Sequence, residues 1–425
     1  MAPPPARSPA SGKGKAKAKR VPKPRAVDPN PVVNPNPTGA TVPSPPAPAV
    51  ALLMKAAYEG DLPFFKGLLL ELDKSKGRLR EAAEAATAAD GVRPLHMAVD
   101  GAAADKLEVC RYLVEELRVD VNAVDNLGRT PLFFMALGKA VVLKYLLDHG
   151  ANPNIADHEG LSPLHCAAEI GDCEMVELLL AKGAYIDALA DRGTPLYIAA
   201  KKGQAGTMKI LLDHNADCNK ICKKCEQLDI SLTPLFSAIS AASLECVKLL
   251  VEAGADVNLD CISNALIDSG LGIDGSTECF NFLLETFANR NFPDNDKPLT
   301  KRKLSLLISL ANNAVLEKDY FFASAYYSKA MDLDPDDATL LSNRSLCWLL
   351  LDDGQKALLD ATECRKMRPD WPKAYYRQGK ALMLLKEYES ACDTFFDGFK
   401  LDPKSDEMED ALRGSYGILE DISKH

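Results

Sequence analysis

Residues 335–369 read PDDATLLSNRSLCWLLLDDGQKALLDATECRKMRP, a stretch that begins and ends with proline. A further proline stands at Pro403, so prolines recur every 34 residues, and alanines at positions 323, 357 and 391 keep the same interval. Proline cannot continue a helix, because it lacks an amide hydrogen and its ring clashes with the preceding turn. The spacing therefore predicts repeated pairs of helices, with a small residue at each crossing and a proline after each second helix.

This period resembles the tetratricopeptide repeat (TPR), a unit of two helices that stacks into a solenoid. Three such units fill residues 304–405, and residues 406–423 are predicted to form a helix that covers the end of the stack. We call residues 304–425 the TPR block. The resemblance implies that the first helices of successive units line one concave groove.

A second repeat precedes the TPR block, and each of its units opens with Pro-Leu after Thr, Ser or Arg. The leucines of this motif stand at positions 95, 132, 164, 196 and 235. Thr or Ser before proline favours the start of a helix, because the hydroxyl can cap the first turn. These units resemble ankyrin repeats. Gly150, Gly183 and Gly254 are expected to end second helices in the left-handed conformation.

The predicted fold class is all-α, with two tandem solenoids after a disordered tail. We expect a Pro/Ala/Lys-rich tail at residues 1–48, the ankyrin block at 49–290, a linker at 291–303 and the TPR block thereafter. The leucine spacing has two long steps, of 37 and 39 residues. They predict insertions near residues 100–105 and at residues 220–229.

The charge of the chain is divided unevenly between the tail and the remainder. Residues 1–47 carry eight basic side chains and one acid, so the tail is at +7 and the rest of the chain at −17. An acidic folded part argues against nucleic acid as a partner, because phosphate binding needs a basic face. No apolar run is long enough to span a membrane, and no apolar signal core opens the chain. We expect a cytoplasmic protein that is also nuclear if residues 13–25 act as an import signal rather than as a solubilising extension.

The sequence predicts neither an enzyme nor a cofactor. It contains no phosphate-binding loop, no nucleophile motif and no metalloprotease motif. His96 and His165 occupy the Thr-Pro-Leu-His position of the ankyrin motif, where the resemblance implies a bond to the backbone of the next repeat. They are therefore expected to be structural.

Cys218, Cys222 and Cys225 have the spacing of half a zinc site. A tetrahedral structural site needs four ligands, and no fourth ligand stands at a familiar spacing. We therefore predict no metal and interpret the cysteines as ordinary thiols, with zinc binding and redox switching as the alternatives.

Four residues on the predicted first helices of the TPR block suggest a peptide site. Asn312, Asn343, Lys373 and Arg377 would bring two amides and two cations into one groove, which suits a carboxylate. They resemble four residues of the carboxylate clamp in co-chaperone TPR domains, which bind the Glu-Glu-Val-Asp tails of cytosolic heat-shock chaperones. The fifth clamp position, a lysine, is Ile308 here. The alternative is a solvated polar face.

The ankyrin block is expected to bind a client protein through the tips of its hairpins. The candidate tip residues are Asn126, Arg129, His158, Glu159, Asp191 and Arg192. Together the two blocks predict a non-enzymatic adaptor or scaffold between a client and a chaperone tail. The alternative is a nuclear regulatory scaffold whose TPR groove binds a partner other than a chaperone.

Overall fold

The computed structural model describes the chain from its first helix to its last, apart from short internal gaps. The described residues are 48–74, 76–101, 107–135, 140–222, 224–225, 230–270, 273–291 and 297–423. The predicted tail therefore lies outside the described residues, except for Pro48. The two predicted insertions lie partly outside them as well.

The ankyrin block consists of short helices joined by loops. Its helices are α1 (Pro48–Glu59), α2 (Leu62–Asp73), α3 (Leu79–Ala85), α4 (Pro94–Gly101), α5 (Glu108–Arg111), α6 (Ala140–Asp148), α7 (Pro163–Ile170), α8 (Cys173–Ala181), α9 (Pro195–Lys201), α10 (Ala205–Asp213), α11 (Pro234–Ser240), α12 (Leu244–Glu252), α13 (Leu259–Gly270) and α14 (Ser276–Asn291). In the second half of the block, α7, α9, α11 and α13 pack in one row, and α8, α10, α12 and α14 pack in a second row. Two stacked rows of helices are the expected solenoid architecture.

The Pro-Leu motif starts helices as predicted at α4, α7, α9 and α11, and its five leucines are at most 4% exposed. The hydroxyl of Thr194 accepts a hydrogen bond from the amide of Tyr197 at 3.2 Å and so caps α9. One motif differs from the prediction, because Pro131–Phe134 forms a 3-10 turn instead of an α-helix. Thr130 does not cap this turn, and its buried hydroxyl has no hydrogen-bond partner among the described residues.

The glycines expected to end second helices are in the left-handed conformation. The φ angles of Gly150, Gly183 and Gly254 are 90°, 81° and 95°. The prediction is confirmed, and it follows from the absence of a Cβ that would clash with the backbone there.

The TPR block consists of three helix pairs and a final helix. Its helices are α15 (Leu299–Leu316), α16 (Tyr320–Leu333), α17 (Ala338–Leu350), α18 (Gly354–Met367), α19 (Pro372–Leu384), α20 (Tyr388–Leu401) and α21 (Asp406–Ser423). The alanines at positions 323, 357 and 391 are fully buried in the second helices. Each of the three periodic prolines stands two residues after the end of a second helix. The helical-pair prediction is therefore confirmed.

The two blocks share one core at their junction. α14 packs against α15, and α13 packs against α16. The ammonium of Lys303 lies 2.9 Å from the carboxylate of Glu285, and the hydroxyls of Ser263 and Tyr326 are 2.7 Å apart. One continuous cluster of buried apolar side chains extends from the ankyrin block into α17. α15 begins at Leu299, so the last part of the stretch predicted as a linker is helical.

A pair of two-residue strands accompanies the helices. β1 (Lys224–Cys225) pairs antiparallel with β2 (Ile230–Ser231) in the loop between α10 and α11. In the part of the chain that the structure describes, no helix is both long and apolar enough to cross a membrane.

Candidate functional site

The four predicted groove residues lie on three first helices of the TPR block. Asn312 is on α15, Asn343 is on α17, and Lys373 and Arg377 are one turn apart on α19. α17 packs directly against α19, so these helices are neighbours in the stack.

A tyrosine from a second helix links the two asparagines. The hydroxyl of Tyr327, on α16, donates to Oδ1 of Asn312 at 2.6 Å. Burial raises the pKa of Tyr327 to about 12, and a side-chain hydrogen bond with Asn343 acts in the opposite direction. Because Oδ1 of Asn312 accepts from the hydroxyl, its amide NH₂ remains able to donate to a ligand.

The two cations of α19 line a cavity of about 310 Å³ between α19 and the start of α21. Burial, followed by the neighbouring charge of Arg377, lowers the pKa of Lys373. Burial also lowers the pKa of Arg377, and its Nε atom is buried without a hydrogen-bond partner among the described residues.

Neither cation forms an ion pair with another residue in the described part of the chain, although other basic residues of the TPR block do. Arg344 makes a bidentate ion pair with Asp360 at 2.7 and 2.8 Å, and Arg365 lies 3.4 Å from Asp397. Those two arginines join helices within the stack. Lys373 and Arg377 instead line the cavity, where their charges can attract an anion.

Two acidic residues, Asp402 and Glu407, line the same cavity. The carboxylate of Asp402 accepts a hydrogen bond from the amide of Lys404 at 3.2 Å. Glu407 lies in the first turn of α21 and faces the cavity together with Lys373 and Arg377. Its charge raises the pKa of both cations, against the larger effect of burial. Glu407 and Tyr327 are the two site residues that the sequence analysis did not identify.

The 34-residue period could have identified Tyr327 as a site residue. Its counterparts in the next two units are Ala361 and Phe395, which carry no polar group. A hydroxyl at a buried position that is apolar in the other units is unusual, because a buried hydroxyl needs a partner. Glu407 offers no such signal, because it lies in the final helix outside the three units.

The region around the absent fifth clamp residue is apolar. Ile308 is half-buried and packs against the shared core. Lys303 is held by Glu285 and its side chain is only 16% exposed, so it is not available to replace a clamp lysine.

The predicted ankyrin tips are joined to one another by backbone hydrogen bonds. The amide of Asn126 donates to Asp90 at 2.9 Å, and the amide of His158 donates to Leu127 at 2.9 Å. In the same way the amide of Asp191 donates to the carbonyl of Glu159 at 3.0 Å. Successive tips thus form one continuous edge.

The charged tip residues are largely paired within the ankyrin block. Arg129 donates to the buried carboxylate of Asp125 at 2.7 Å and lies over the ring of Phe134. Arg192 lies 3.6 Å from Glu169. Arg129, His158 and Glu159 do line one cavity of about 300 Å³, whereas Asp191 and Arg192 do not line it.

The two histidines of the ankyrin motif bond to the backbone of the following repeat, in agreement with the expectation. Nε2 of His96 lies 3.1 Å from the carbonyl of Arg129, and Nε2 of His165 lies 3.1 Å from the carbonyls of Ala188 and Gly193. Burial lowers the pKa of both imidazoles.

The described cysteines of the predicted half-site serve the ankyrin packing. Sγ of Cys218 contacts the carbonyl of Ala253, and Sγ of Cys222 lies 3.8 Å from the hydroxyl of Thr194. The side chain of Cys225 lies outside the described residues. Among the described side chains, no group of three His, Cys, Asp or Glu is placed to hold a metal ion.

Comparison with known families identifies the first block. A model of ankyrin repeats matches residues 53–157, 95–190, 138–222 and 164–261. Residues 53–261 therefore consist of ankyrin repeats. Among solved structures, the human ASB11 ankyrin repeat domain is similar to 48% of this chain and to 85% of that domain, at 29% identity and a TM-score of 0.39.

Relatives of this ankyrin-repeat protein include TPR proteins. Protein STIP1 homolog of Dictyostelium discoideum is 41% identical over 101 residues, 24% of this chain and 18% of that protein. Tetratricopeptide repeat protein 28 of Homo sapiens is 37% identical over 107 residues, 25% of this chain and 4% of that protein. Hsp70-Hsp90 organizing protein 3 of Arabidopsis thaliana is 35% identical over 198 residues, 40% of this chain and 35% of that protein. The chain thus combines ankyrin and TPR repeats and matches less than half the length of each of these relatives.

Proposed function

We propose that this protein is a non-enzymatic adaptor whose TPR groove binds an acidic C-terminal peptide and whose ankyrin face binds a client protein. Both repeat types build extended surfaces for other proteins. Two sites on one chain raise the effective concentration of one partner near the other. The name of one relative, Hsp70-Hsp90 organizing protein 3, supports a chaperone tail as the acidic peptide.

The proposal depends mainly on the two cations in the cavity of α19, neither of which has an ion-pair partner among the described residues. Lys373 and Arg377 both line this cavity and supply its positive charge. Hydrogen bonds between charged groups contribute about 1.5 to 3 kcal/mol each. Asn312, oriented by Tyr327, adds a neutral donor for the carboxylate at the peptide end.

We propose the ankyrin face as the client site because of the side chains that line its cavity. The cavity lined by Arg129, His158 and Glu159 combines charge with the apolar side chains of Leu127 and Phe133. Mixed apolar and polar surfaces of this kind are typical of protein interfaces.

Calorimetry with a peptide ending in Glu-Glu-Val-Asp tests the groove. We expect binding that Lys373→Ala combined with Arg377→Ala abolishes, because the two variants remove both cations of the cavity. The same peptide with an amidated C-terminus should bind more weakly. Raised salt should weaken binding to the wild type as well, since charge supplies much of the attraction.

A matched control removes two positive charges elsewhere in the TPR block. Lys366 and Lys400 are exposed lysines on second helices, and each pairs with a carboxylate three residues earlier. Lys366→Ala combined with Lys400→Ala should leave the affinity nearly unchanged. Absence of heat at high micromolar peptide, or equal losses from both double variants, would contradict the proposed groove.

A further inference from the structure

The cavity between α19 and α21 contains a negative charge of the protein itself. Glu407 is exposed at the mouth of the cavity that Lys373 and Arg377 line. It does not form an ion pair with either cation among the described residues. The carboxylate therefore acts on the cations through space and leaves their donors unoccupied.

The position of Glu407 is fixed by the packing of its neighbour. Met408 is 2% exposed and packs with Tyr375 and Phe395 in a buried cluster between α19, α20 and α21. Gly398, on α20, leaves the space that the end of the Met408 side chain fills. α21 is thus anchored at its first turn, and the adjacent carboxylate cannot move far from the cavity.

We propose that Glu407 is a built-in counter-charge that lowers the affinity of the cavity for acidic peptide ends. The inference rests on the proposed function of the groove. The lining holds two cations and two carboxylates, and Glu407 is the carboxylate whose charge raises the pKa of both cations. Each negative charge of a ligand that enters the cavity meets the repulsion of Glu407 as well as the attraction of the cations.

The direct test compares Glu407→Gln with the wild type in calorimetry with the Glu-Glu-Val-Asp peptide. Glutamine keeps the size and removes the charge, so we expect binding about three- to tenfold tighter and a steeper salt dependence. A peptide ending in Ala-Ala-Val-Asp should gain less from the substitution, because it presents fewer charges to position 407.

Glu409→Gln is the matched control. Glu409 lies on the same helix, but it pairs with Arg413 and does not line the cavity. Its substitution changes the net charge by the same amount and should leave the affinity within about twofold of the wild type. Equal tightening in both variants would assign the effect to net charge and overturn the inference.

An NMR titration of the Lys373 amine gives a readout that does not depend on peptide binding. Glu407 raises the pKa of Lys373, while burial, Arg377 and Cys364 set the rest of its environment. The pKa of Lys373 should therefore fall in Glu407→Gln and stay constant in Glu409→Gln.

The outcomes separate the inference from the proposed function. If the wild type binds the peptide and Glu407→Gln changes neither the affinity nor the pKa of Lys373, the inference is wrong and the groove stands. If neither protein binds the peptide, the proposed function is wrong and the inference falls with it.

Discussion

The ankyrin and TPR blocks treat their polar side chains differently. At the ankyrin tips, Arg129 is held by Asp125 and Arg192 by Glu169, and backbone hydrogen bonds join one tip to the next. In the TPR groove, Lys373 and Arg377 face a cavity without an ion-pair partner in the described part of the chain. In the ankyrin block these charged side chains stabilise the fold, whereas in the TPR block the two cations remain available to a ligand.

This difference indicates which charged side chains are candidates for ligand binding. A satisfied charge contributes to folding, and its removal changes stability before it changes binding. A desolvated charge without a partner lowers stability, and a ligand that supplies the missing partner recovers that loss. The groove is therefore the more informative of the two candidate surfaces.

The largest expected effect tests whether the blocks are energetically separate. Phe280, on α14, is 1% exposed in the core that both blocks share, and the ammonium of Lys329 from α16 lies over its ring. Phe280→Ala should lower the free energy of unfolding by about 3 to 5 kcal/mol. Both tryptophans, Trp348 and Trp371, are in the TPR block, so their fluorescence in urea reports that block alone.

We expect the fluorescence transition of Phe280→Ala to shift as far as the circular dichroism transition of the whole chain. Phe282→Ala is the control, because Phe282 is on the same helix but only partly buried. A shift in circular dichroism without a shift in fluorescence would mean that the two blocks unfold independently.

The next effect is a pH dependence that originates in the ankyrin block. Burial holds the pKa of His96 and His165 below the ordinary value of 6.5, so both are neutral when folded. Their contribution to stability is complete above pH 6.5 and is lost as pH falls toward the folded pKa values, because the unfolded chain binds more protons. Each pKa unit of difference corresponds to about 1.4 kcal/mol.

Thermal melts between pH 7.5 and pH 5 measure this loss. The combined variant His96→Gln and His165→Gln should be less stable at pH 7.5 and should show a flatter pH dependence than the wild type. His214→Gln, at an exposed helix end, should keep the wild-type slope. An unchanged slope in the double variant would place the acid sensitivity elsewhere.

The smallest effect concerns the orientation of the groove amides. Tyr327→Phe removes the hydroxyl that bonds Asn312 and Asn343, and the peptide affinity should fall about fivefold, equivalent to about 1 kcal/mol. Tyr326→Phe is the control, because that neighbouring hydroxyl bonds Ser263 in the ankyrin block. Calorimetry should show weaker binding only for Tyr327→Phe. Equal affinities of the two variants would remove Tyr327 from the site.

Most of the fold could be predicted from periodic residues. The prolines at 335, 369 and 403 predicted the ends of three helices because a proline acts locally on the chain. The left-handed glycines of the ankyrin block were predictable for the same local reason. The 3-10 turn at Pro131–Phe134 and the π-helical turn at Tyr112–Glu116 were not predicted, because packing against neighbouring units overrides local preference there.

Only the site residues that share one face of one helix could be predicted to lie together. Lys373 and Arg377 are four residues apart, so the sequence alone places them on the same face of α19. Tyr327 and Glu407 come from other helices and meet the site through tertiary packing, which a repeat period does not encode. For the same reason the sequence did not decide between a linker and stacking of the two blocks at the junction.

The common core of α13 to α16 also has a consequence for evolution. Repeat arrays usually gain and exchange units by recombination, since each unit contacts only its neighbours. Here an exchange that cuts between α14 and α15 would expose apolar surface on both new ends and would break the contact between Lys303 and Glu285. The two repeat types are thus expected to be inherited together.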